Sequence, residues 1–432
     1  MRTLFAFVSA LALCASHHAQ AERIGVIAPS YAVTQARIAG LSPALQPAWT
    51  SYLARSEAYR AADKAALAAE RAPGVVVPAP PEGGNSERSM PLDQPKDWYA
   101  STAALGVANN ILSFQTPAGG WGKNQPRDRA PRLPGQAYVA GNRSKFLQPG
   151  DFDTPEDDNW SYVGTIDNDA TVTEIRFLAK VAAALSPEKS EAYRASALRG
   201  VEYLLAAQFP NGGWPQVWPL QGGYHDALTL NDNAMVLVAQ LMDVVATGGP
   251  EFAFVPGALR ARAKAAEQAA IAALLQTQIM VQGRKTLWAQ QHDALTLAPT
   301  TARNYEPASL CSFESASVLI YLMEQAEASA AIKQAIEAGI ASLRSLAIEG
   351  KAWRKVSEAE GRKLVSQPGA PAVWARFYDA ATLRPLFGDR DKSLHDDVAD
   401  ISLERRNGYA WYGVGPAKAL QAYAQWKQRH AQ

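Results

Sequence analysis

The sequence predicts an all-α fold, an α/α toroid in which helical hairpins surround a central axis and long functional loops gather at one end. Apolar residues recur at helical spacing, no comparable series of alternating strands is visible, and parts of the chain repeat one another. Loops rich in Gly, Pro, Trp, Asp and Arg separate the helices. Because such long loops usually carry function, we expect the chemistry at the end where they gather.

The helical spacing predicts eight helices. Their ranges are 48–69, 170–185, 191–208, 232–245, 265–279, 313–326, 330–347 and 416–427. The first of these ranges contains no Gly or Pro, which favours an uninterrupted helix.

The internal repeat supports the arrangement in hairpins. Residues 111–122 (ILSFQTPAGGWG) parallel residues 204–215 (LLAAQFPNGGWP), and in each a helix end leads through glycines to a Trp that we expect to be buried. A second pair, 167–170 (DNDA) and 231–234 (NDNA), opens two apolar helices. Two hairpins in similar order are typical of a repeated helical architecture.

The first residues have the features of an export signal. Arg2 is followed by the apolar run 4–13 and by a small-residue cleavage site at 19–21, so residues 1–21 are predicted to be a signal peptide and the protein to be secreted or periplasmic. The apolar run is too short to span a bilayer, and no later stretch of about 18 apolar residues follows, so no membrane association is expected.

Composition divides the rest of the chain into three parts. Residues 22–72 are predicted to be a helical N-terminal region without an assigned role, and residues 73–95 a Pro/Gly-rich linker. Residues 96–432 are predicted to form the main toroid domain, to which we assign the chemistry. The oligomeric state is left open.

Charge and cysteine content exclude several classes of protein. Once the leader is removed, Cys311 is the only cysteine, which excludes an internal disulfide and a cysteine-based zinc cluster. The chain has 42 basic and 41 acidic residues, with no basic stripe, so no nucleic-acid partner is expected. An anionic substrate would therefore need a local cluster of cations.

Two clusters of Asp and Asn residues, 167–169 and 231–233, lie at predicted helix starts. Asp and Asn are preferred N-caps, so capping alone would explain them. Each cluster nevertheless has three such residues where one would cap, and carboxylates at adjacent helix starts form a hard oxygen site that suits Ca²⁺. Neither has the spacing of an EF-hand loop, so both interpretations stay open.

Three loop arginines, Arg303, Arg376 and Arg390, stand beside aromatic residues. Guanidinium groups bind carboxylates bidentately and aromatic rings stack on sugars, which together suit an acidic saccharide; a structural ion pair is the alternative for each. Lys123 follows a glycine turn and could reach a substrate carboxylate or stay solvated. The pair 405–406 is interpreted as a helix-end or surface charge pair.

Two His-Asp pairs, at 225–226 and 292–293, are weak candidates for chemistry. A serine triad would need a nucleophile elbow, and the sequence has no Gly-x-Ser-x-Gly. Such pairs without a third ligand motif are more often loop hydrogen bonds than zinc sites.

Several motifs together resemble the pectate lyases of polysaccharide lyase family ten. They are 119–124 (GGWGKN), 165–171 (TIDNDAT), 212–216 (GGWPQ), 222–226 (GGYHD), 231–235 (NDNAM), 374–379 (WARFYD) and 405–409 (RRNGY). The match runs in one order from about residue 98 to residue 413. The resemblance implies an α/α toroid with a groove at one end. It also implies calcium-assisted anti β-elimination of α-1,4-linked polygalacturonate, which gives 4,5-unsaturated oligogalacturonides.

The resemblance also implies a calcium site. Asp167 is similar to the calcium-binding aspartate of the family, with Asn168 beside it in contact with the substrate. Asp232 is the expected second carboxylate, and Asp226 competes with it for that place.

The catalytic and substrate-binding residues follow from the same resemblance. Arg303 resembles the Brønsted base of the family, and Lys123, Arg376, Arg390 and Tyr305 resemble residues that hold the substrate. Arginine ordinarily has a pKa of roughly 12.5 to 13.8, so a base role needs a cationic site, high pH or concerted transfer. Nearby lysine and calcium would lower this pKa, and we expect an alkaline pH optimum.

Three other functions are compatible with parts of the sequence. Gln-x-x-x-Gly-x-Trp turns also occur in triterpene cyclases, but Arg-rich loops and an export signal argue against their deep apolar cavity. An inverting toroid glycoside hydrolase acting on an acidic polysaccharide would use two carboxylates and release no unsaturated product. A non-catalytic carbohydrate-binding protein would bind the saccharide without turnover.

Overall fold

The computed structural model of the protein describes residues 23–141, 146–157 and 160–430, and in these ranges helices are combined with small antiparallel sheets. The fold is therefore mixed, and the prediction of an all-α fold, an α/α toroid, is wrong. The predicted signal peptide, residues 1–21, lies outside the described residues. Among the described residues, no helix has the length and apolar composition needed to cross a membrane.

All eight predicted helices are present, with some differences in their ends. The helices are α1 Gln35–Ala39, α2 Gln46–Glu70, α3 Ser86–Ser89, α4 Thr102–Phe114, α5 Val172–Ala184, α6 Pro187–Ala207, α7 Ala234–Thr247, α8 Gly257–Thr277, α9 Ser312–Glu324, α10 Ala330–Ser345, α11 Leu403–Gly408 and α12 Ala417–His430. Helices α5 and α6 pack together, as do α7 and α8, while α9 packs against α10 and α12.

The strands are what the sequence analysis missed. They are β1 Gly25–Val26, β2 Leu228–Thr229, β3 Met280–Val281, β4 Arg284–Lys285, β5 Gln291–His292, β6 Pro299–Thr300, β7 Leu310–Cys311, β8 Lys351–Ser357, β9 Gly361–Ser366, β10 Trp374–Ala375, β11 Phe377–Tyr378, β12 Pro385–Gly388, β13 Ser393–His395 and β14 Tyr412–Gly413. Five form an antiparallel sheet in the order β1-β13-β12-β11-β7. Strands of two to four residues are too short for an alternating apolar pattern to be visible.

Buried tryptophans close the ends of four helices. Trp121 and Trp214 are fully buried, as the repeat predicts. Each indole N–H donates to a carbonyl in the last turn of a helix, where backbone acceptors lack a partner within the helix. The same bond recurs at two sites that the sequence repeat did not reveal. The four bonds are Trp121 to Ile111, Trp214 to Leu204, Trp288 to Leu274 and Trp374 to Leu343, all at 2.7–2.8 Å.

Three of these helices, α4, α6 and α8, are each followed directly by a glutamine that links the end of the helix to a neighbouring helix. Its side-chain amide donates to one carbonyl in its own turn and to one carbonyl of a neighbouring helix. The pairs of acceptors are Gly119 and Ser196 for Gln115, Gly212 and Ala266 for Gln208, and Thr286 and Ala335 for Gln278. These bonds fix the loops at one end of the helices, and the loops carry the site described below.

The N-terminal region packs directly on the rest of the molecule. Strand β1 pairs with β13, and the Tyr52 hydroxyl of α2 donates to the carbonyl of Ala207 at 2.9 Å. The buried carboxylate of Asp63, also on α2, accepts from the backbone N–H of Ala118 at 2.7 Å. Helix α2 is therefore held beside the loops that follow α4 and α6.

Helices α5 and α7 both begin after a short 3-10 turn, at Asp167–Asp169 and Asn231–Asn233. Asn168 and Asp232 lie in the left-handed region with φ near 50°, which Asn and Asp tolerate better than most residues. The described N-cap residues, Thr171 and Asn233, make no side-chain capping hydrogen bond. Neither of these two N-caps supports the capping interpretation, and the role of the clusters stays a prediction.

Candidate active site

A cavity of about 480 Å³ lies between the two 3-10 turns, 167–169 and 231–233, and the loops after β6 and β12. We call it the catalytic cavity, and we call these two turns, which consist of Asp and Asn residues, the Asx turns. Seven of the nine site residues predicted from the sequence line it. They are Lys123, Asp167, Asn168, Asp232, Arg303, Tyr305 and Arg390. Residues far apart in the chain are thus brought to one place, as the motif pattern predicts.

The remaining two predicted residues lie elsewhere. The carboxylate of Asp226 accepts from the backbone N–H groups of Val33, Gln221 and Gly222, and it faces the N-terminal region. Burial raises the pKa of Asp226 to about 6 despite these bonds. Arg376 is buried in an ion pair with Glu314, behind the Asx turns. Neither position favours contact with a ligand in the catalytic cavity.

Asp167 is held by other side chains on both of its carboxylate oxygens. One carboxylate oxygen is ion-paired with the Lys123 ammonium, and the other accepts from Gln216 at 3.0 Å and Asn231 at 3.3 Å. Burial alone would raise the pKa of Asp167, but the neighbouring ammonium outweighs it and keeps this pKa below its ordinary value. The ammonium also lies 3.5 Å from the ring centre of Tyr162.

Asp232 has much weaker compensation for its charge. Its carboxylate accepts from the side-chain amide of Asn231 at 2.9 Å, and the same amide donates to Asp167. Burial, and then repulsion from Asp167, raise the pKa of Asp232 to about 6. Two carboxylates that share one amide donor therefore leave negative charge in the cavity that a cation would stabilise.

Arg303 forms a bidentate ion pair with Glu306. Its Nη2 lies 2.6 Å from Oε1 and its Nε 2.9 Å from Oε2. From the sequence, nearby cations are expected to lower the pKa of Arg303. Burial does act in that direction, but the Glu306 carboxylate raises this pKa well above the ordinary value. The Arg303 side chain is 36% exposed and lines the cavity.

Tyr305 stands among three arginines. The guanidinium carbons of Arg405, Arg303 and Arg390 lie 4.4, 5.1 and 5.6 Å from its ring centre. Glu404 accepts hydrogen bonds from both Arg390 and Arg405, at 2.6–3.1 Å. One carboxylate shared by two guanidinium groups leaves a net positive charge beside an aromatic ring, a suitable surface for an acidic sugar.

Sequence reasoning missed several residues of the cavity. Arg405 and Arg406 lie in the last turn of α11, as the helix-end interpretation predicts, but Arg405 is buried and lines the cavity, so it is not a surface charge. Glu306, three residues after Arg303, forms the structural ion pair that the sequence gives as the alternative for this arginine. Gln216 ends the motif 212–216, which could have pointed to it, whereas Tyr162 lies outside the motifs and no local signal identifies it.

The oxygen atoms around Asp167 and Asp232 are of the kind that Ca²⁺ prefers. The described residues contain no group of three or more His, Cys, Asp or Glu side chains that could hold a metal ion. The buried Oε1 atoms of Gln216 and Gln290, which also line the cavity, lack a hydrogen-bond partner among the described residues. The protein thus offers two carboxylates and some amide oxygens, which fits a cation whose coordination is completed by a ligand.

The family of the chain follows from a match with known proteins. Residues 115–420 match the family model described as pectic acid lyase. The chain belongs to the pectate lyases of polysaccharide lyase family ten. This confirms the family resemblance and the prediction of an enzyme, and it contradicts the cyclase, hydrolase and non-catalytic alternatives.

Solved structures agree with this assignment. The pectate lyase chain is 33% identical to a family 10 polysaccharide lyase from Cellvibrio cellulosa, with a TM-score of 0.63, and the match covers 79% of this chain and 98% of that one. An Asp-to-Ala mutant of a family 10 lyase from the same organism, in complex with trigalacturonic acid, matches with 32% identity and a TM-score of 0.63. That match covers 78% of this chain and 97% of the other. No curated protein matches the sequence.

Proposed function

We propose that this pectate lyase cleaves α-1,4-linked polygalacturonate by calcium-assisted anti β-elimination in the catalytic cavity. The observation that carries the proposal is the meeting of Asp167, Asp232 and Arg303 in one cavity of a chain from this family. The predicted signal peptide would place the reaction outside the cytoplasm, where pectate is encountered.

Asp167 and Asp232 would hold the calcium ion, and Asn168 would contact the substrate beside it. The charge that these two carboxylates leave uncompensated, and the raised pKa of Asp232, support a cation at this point. Bound calcium would supply positive charge to stabilise the negative charge that develops on the substrate C6 carboxylate.

The elimination needs a proton acceptor for C5. As the C5–H bond breaks, its electron pair forms the double bond between C4 and C5, and the C4–O bond breaks with its electrons leaving on the glycosidic oxygen. That oxygen takes a proton from water to become the hydroxyl of the departing sugar. The Arg303 side chain is partly exposed and lines the cavity, and we propose its neutral guanidine as the group that receives the C5 proton.

The bidentate contact with Glu306 makes it harder for Arg303 to lose the proton that a base must lose first. Because Glu306 raises the pKa of Arg303, the guanidinium is a cation at neutral pH and can accept a proton only after losing one. The proposed mechanism therefore requires alkaline conditions, in which the neutral guanidine is more highly populated. In its charged form Arg303 would still stabilise the developing carboxylate charge.

Three further side chains would hold the substrate. Lys123 and Arg390 are cations on the cavity wall and would bind uronate carboxylates. Tyr305 offers its ring between Arg390 and Arg405, where a sugar could pack against it. Arg376 would not touch the substrate but would position Asn231, because its Nη2 lies 3.4 Å from the Asn231 amide oxygen.

The direct test is incubation of the purified protein with polygalacturonate at alkaline pH, with calcium or with chelator, followed by ultraviolet absorbance of the unsaturated uronide. A calcium-dependent rise supports the proposal. Reducing ends without this absorbance would mean hydrolysis and would remove the proposed role of Arg303.

A pair of matched variants tests the calcium site. Asp232→Asn should weaken calcium binding, measured by calorimetry, by about tenfold or more, because one of two carboxylates is lost. Asp226→Asn makes the same chemical change outside the cavity and should leave calcium affinity unchanged. Equal loss in both variants would contradict the assignment of Asp232.

A further inference from the structure

A second cavity, of about 410 Å³, lies next to the catalytic cavity, and we call it the distal cleft. The two share Pro155 and Ser161 in their walls, so they lie side by side. The opposite wall of the distal cleft is helix α2, which contributes Arg60 and Lys64. Both residues precede residue 115, where the match to the family model begins.

Both cations of the distal cleft form ion pairs with exposed carboxylates, and Arg60 also donates to the carbonyl of Leu220 at 3.2 Å. Lys64 pairs with Asp157 at 2.9 Å, and Arg60 pairs with Glu156 at 3.7 Å. The side chains of Asp157 and Glu156 are 39% and 72% exposed. Solvent-exposed ion pairs contribute little to stability, so either cation can exchange its partner for a carboxylate of a ligand at small cost.

The rest of the wall has the composition of a sugar site. Phe152 and Trp160 line the distal cleft, and the Lys64 ammonium lies 5.9 Å from the ring centre of Trp160. Buried polar atoms of the wall, Trp160 Nε1 and His225 Nε2, lack a hydrogen-bond partner among the described residues. Burial lowers the pKa of His225 to about 4, so its ring is neutral and adds no charge at the working pH.

We infer that the distal cleft is an additional binding subsite for a uronate residue of polygalacturonate, formed by α2 of the N-terminal region and by residues 152–157 and 160–161. The inference rests on the proposed function, since it extends the same substrate beyond the catalytic cavity. The N-terminal region would then take part in substrate binding. Polygalacturonate chains long enough to reach from the catalytic cavity to Arg60 and Lys64 would bind more tightly than short ones.

The experiment compares a galacturonate trimer with a hexamer. Binding is measured by calorimetry and turnover by ultraviolet absorbance, for the wild type, Lys64→Gln and the double variant Arg60→Gln/Lys64→Gln. Arg55→Gln is the control for Lys64→Gln, because it removes the same charge from the same helix but lies away from the cleft, over Tyr52. Thermal unfolding checks that each variant is folded.

We expect Lys64→Gln to lower the ratio of hexamer to trimer affinity by about threefold to tenfold, and the double variant to lower it further. The ratio of hexamer to trimer kcat/KM should fall in parallel, while Arg55→Gln leaves both ratios at the wild-type value. Unchanged ratios in the double variant, or equal losses for trimer and hexamer, would overturn the inference.

The same data separate this inference from the proposed function. Wild-type protein that binds the hexamer through Lys64 but forms no unsaturated product would retain the distal subsite and remove the lyase mechanism. Turnover with no dependence on Arg60 or Lys64 would do the reverse. Absence of both binding and turnover would overturn both.

Discussion

Two arginine–glutamate pairs in this molecule have similar chemistry and opposite surroundings. Arg127 lies 2.8 Å from Glu174, and both side chains are 0% exposed. Arg303 lies 2.6 Å from Glu306, with the glutamate 2% and the arginine 36% exposed. Burial lowers the pKa of Arg127, whereas Glu306 raises that of Arg303.

The difference between the two pairs is one of access, since only the Arg303–Glu306 pair lies where a ligand can reach it. The Arg127–Glu174 pair joins the loop after α4 to α5, and no ligand can reach it without unfolding the region. Buried pairs of this kind are costly to break because one charge is left without a partner. Arg303 is anchored on one side by Glu306 and faces the catalytic cavity on the other, so it is positioned without being enclosed.

The largest effect should come from Arg303→Lys. Lysine keeps the positive charge but loses the planar fork, so kcat/KM should fall on the order of 10³-fold, about 4 kcal/mol of transition-state stabilisation. Steady-state kinetics on polygalacturonate measures it, with Arg384→Lys, on an exposed ion pair, as the control. Activity above about a tenth of wild type would mean that Arg303 is not the catalytic arginine.

The buried pair should show the opposite pattern. Arg127→Met leaves the Glu174 carboxylate without its partner, so the free energy of unfolding should fall by roughly 3–5 kcal/mol, with kcat of the folded fraction retained. Urea unfolding measures the loss. The double variant Arg127→Met/Glu174→Leu should recover most of the stability, because no charge is then left buried. If the double variant is as unstable as the single one, packing and not charge dominates at this position.

The pH dependence should also separate the two pairs. A raised pKa means that the neutral form of Arg303 is scarce at neutral pH, so kcat should rise by up to about tenfold per unit as the pH increases from about 7 to about 10. Glu306→Gln removes the anion that raises this pKa, so the rise should move to lower pH. A rate that falls steadily over this range would contradict a base role for Arg303.

The helices and the turns around Trp121 and Trp214 could be predicted from the sequence for definite physical reasons. The residues that line the cavity were predicted from the family resemblance. Helical spacing is repeated over many residues, and the turns around Trp121 and Trp214 carry the same glycine-rich pattern, so both features are visible locally. The two-residue strands depend on partners far away in the chain, as when β1 pairs with β13, and they leave no periodic signal. The short strands were missed for this reason, whereas the longer hairpin of β8 and β9 is local and has no such explanation.

The sequence also did not show which charged side chains face the cavity. The motif that contains Arg376 matches the family, yet the structure places its guanidinium behind Asn231 and against Glu314. Arg405 stands in a run of charged residues that suggests a surface, although its side chain is buried beside Tyr305. Sequence identifies which residues carry charge, but tertiary packing decides which of them face the cavity.

The smallest effect should come from Tyr409→Phe. The Tyr409 hydroxyl donates to Glu306 Oε1 at 2.7 Å, and this bond draws negative charge away from the side of Glu306 that faces Arg303. Without the hydroxyl, Glu306 should raise the pKa of Arg303 further, so kcat near pH 8 should fall by less than about tenfold and the profile should move to higher pH. A pH–rate profile of the variant measures this shift. An equal loss of rate at every pH would mean that Tyr409 acts by packing, and the electrostatic link from Tyr409 through Glu306 to Arg303 would be broken.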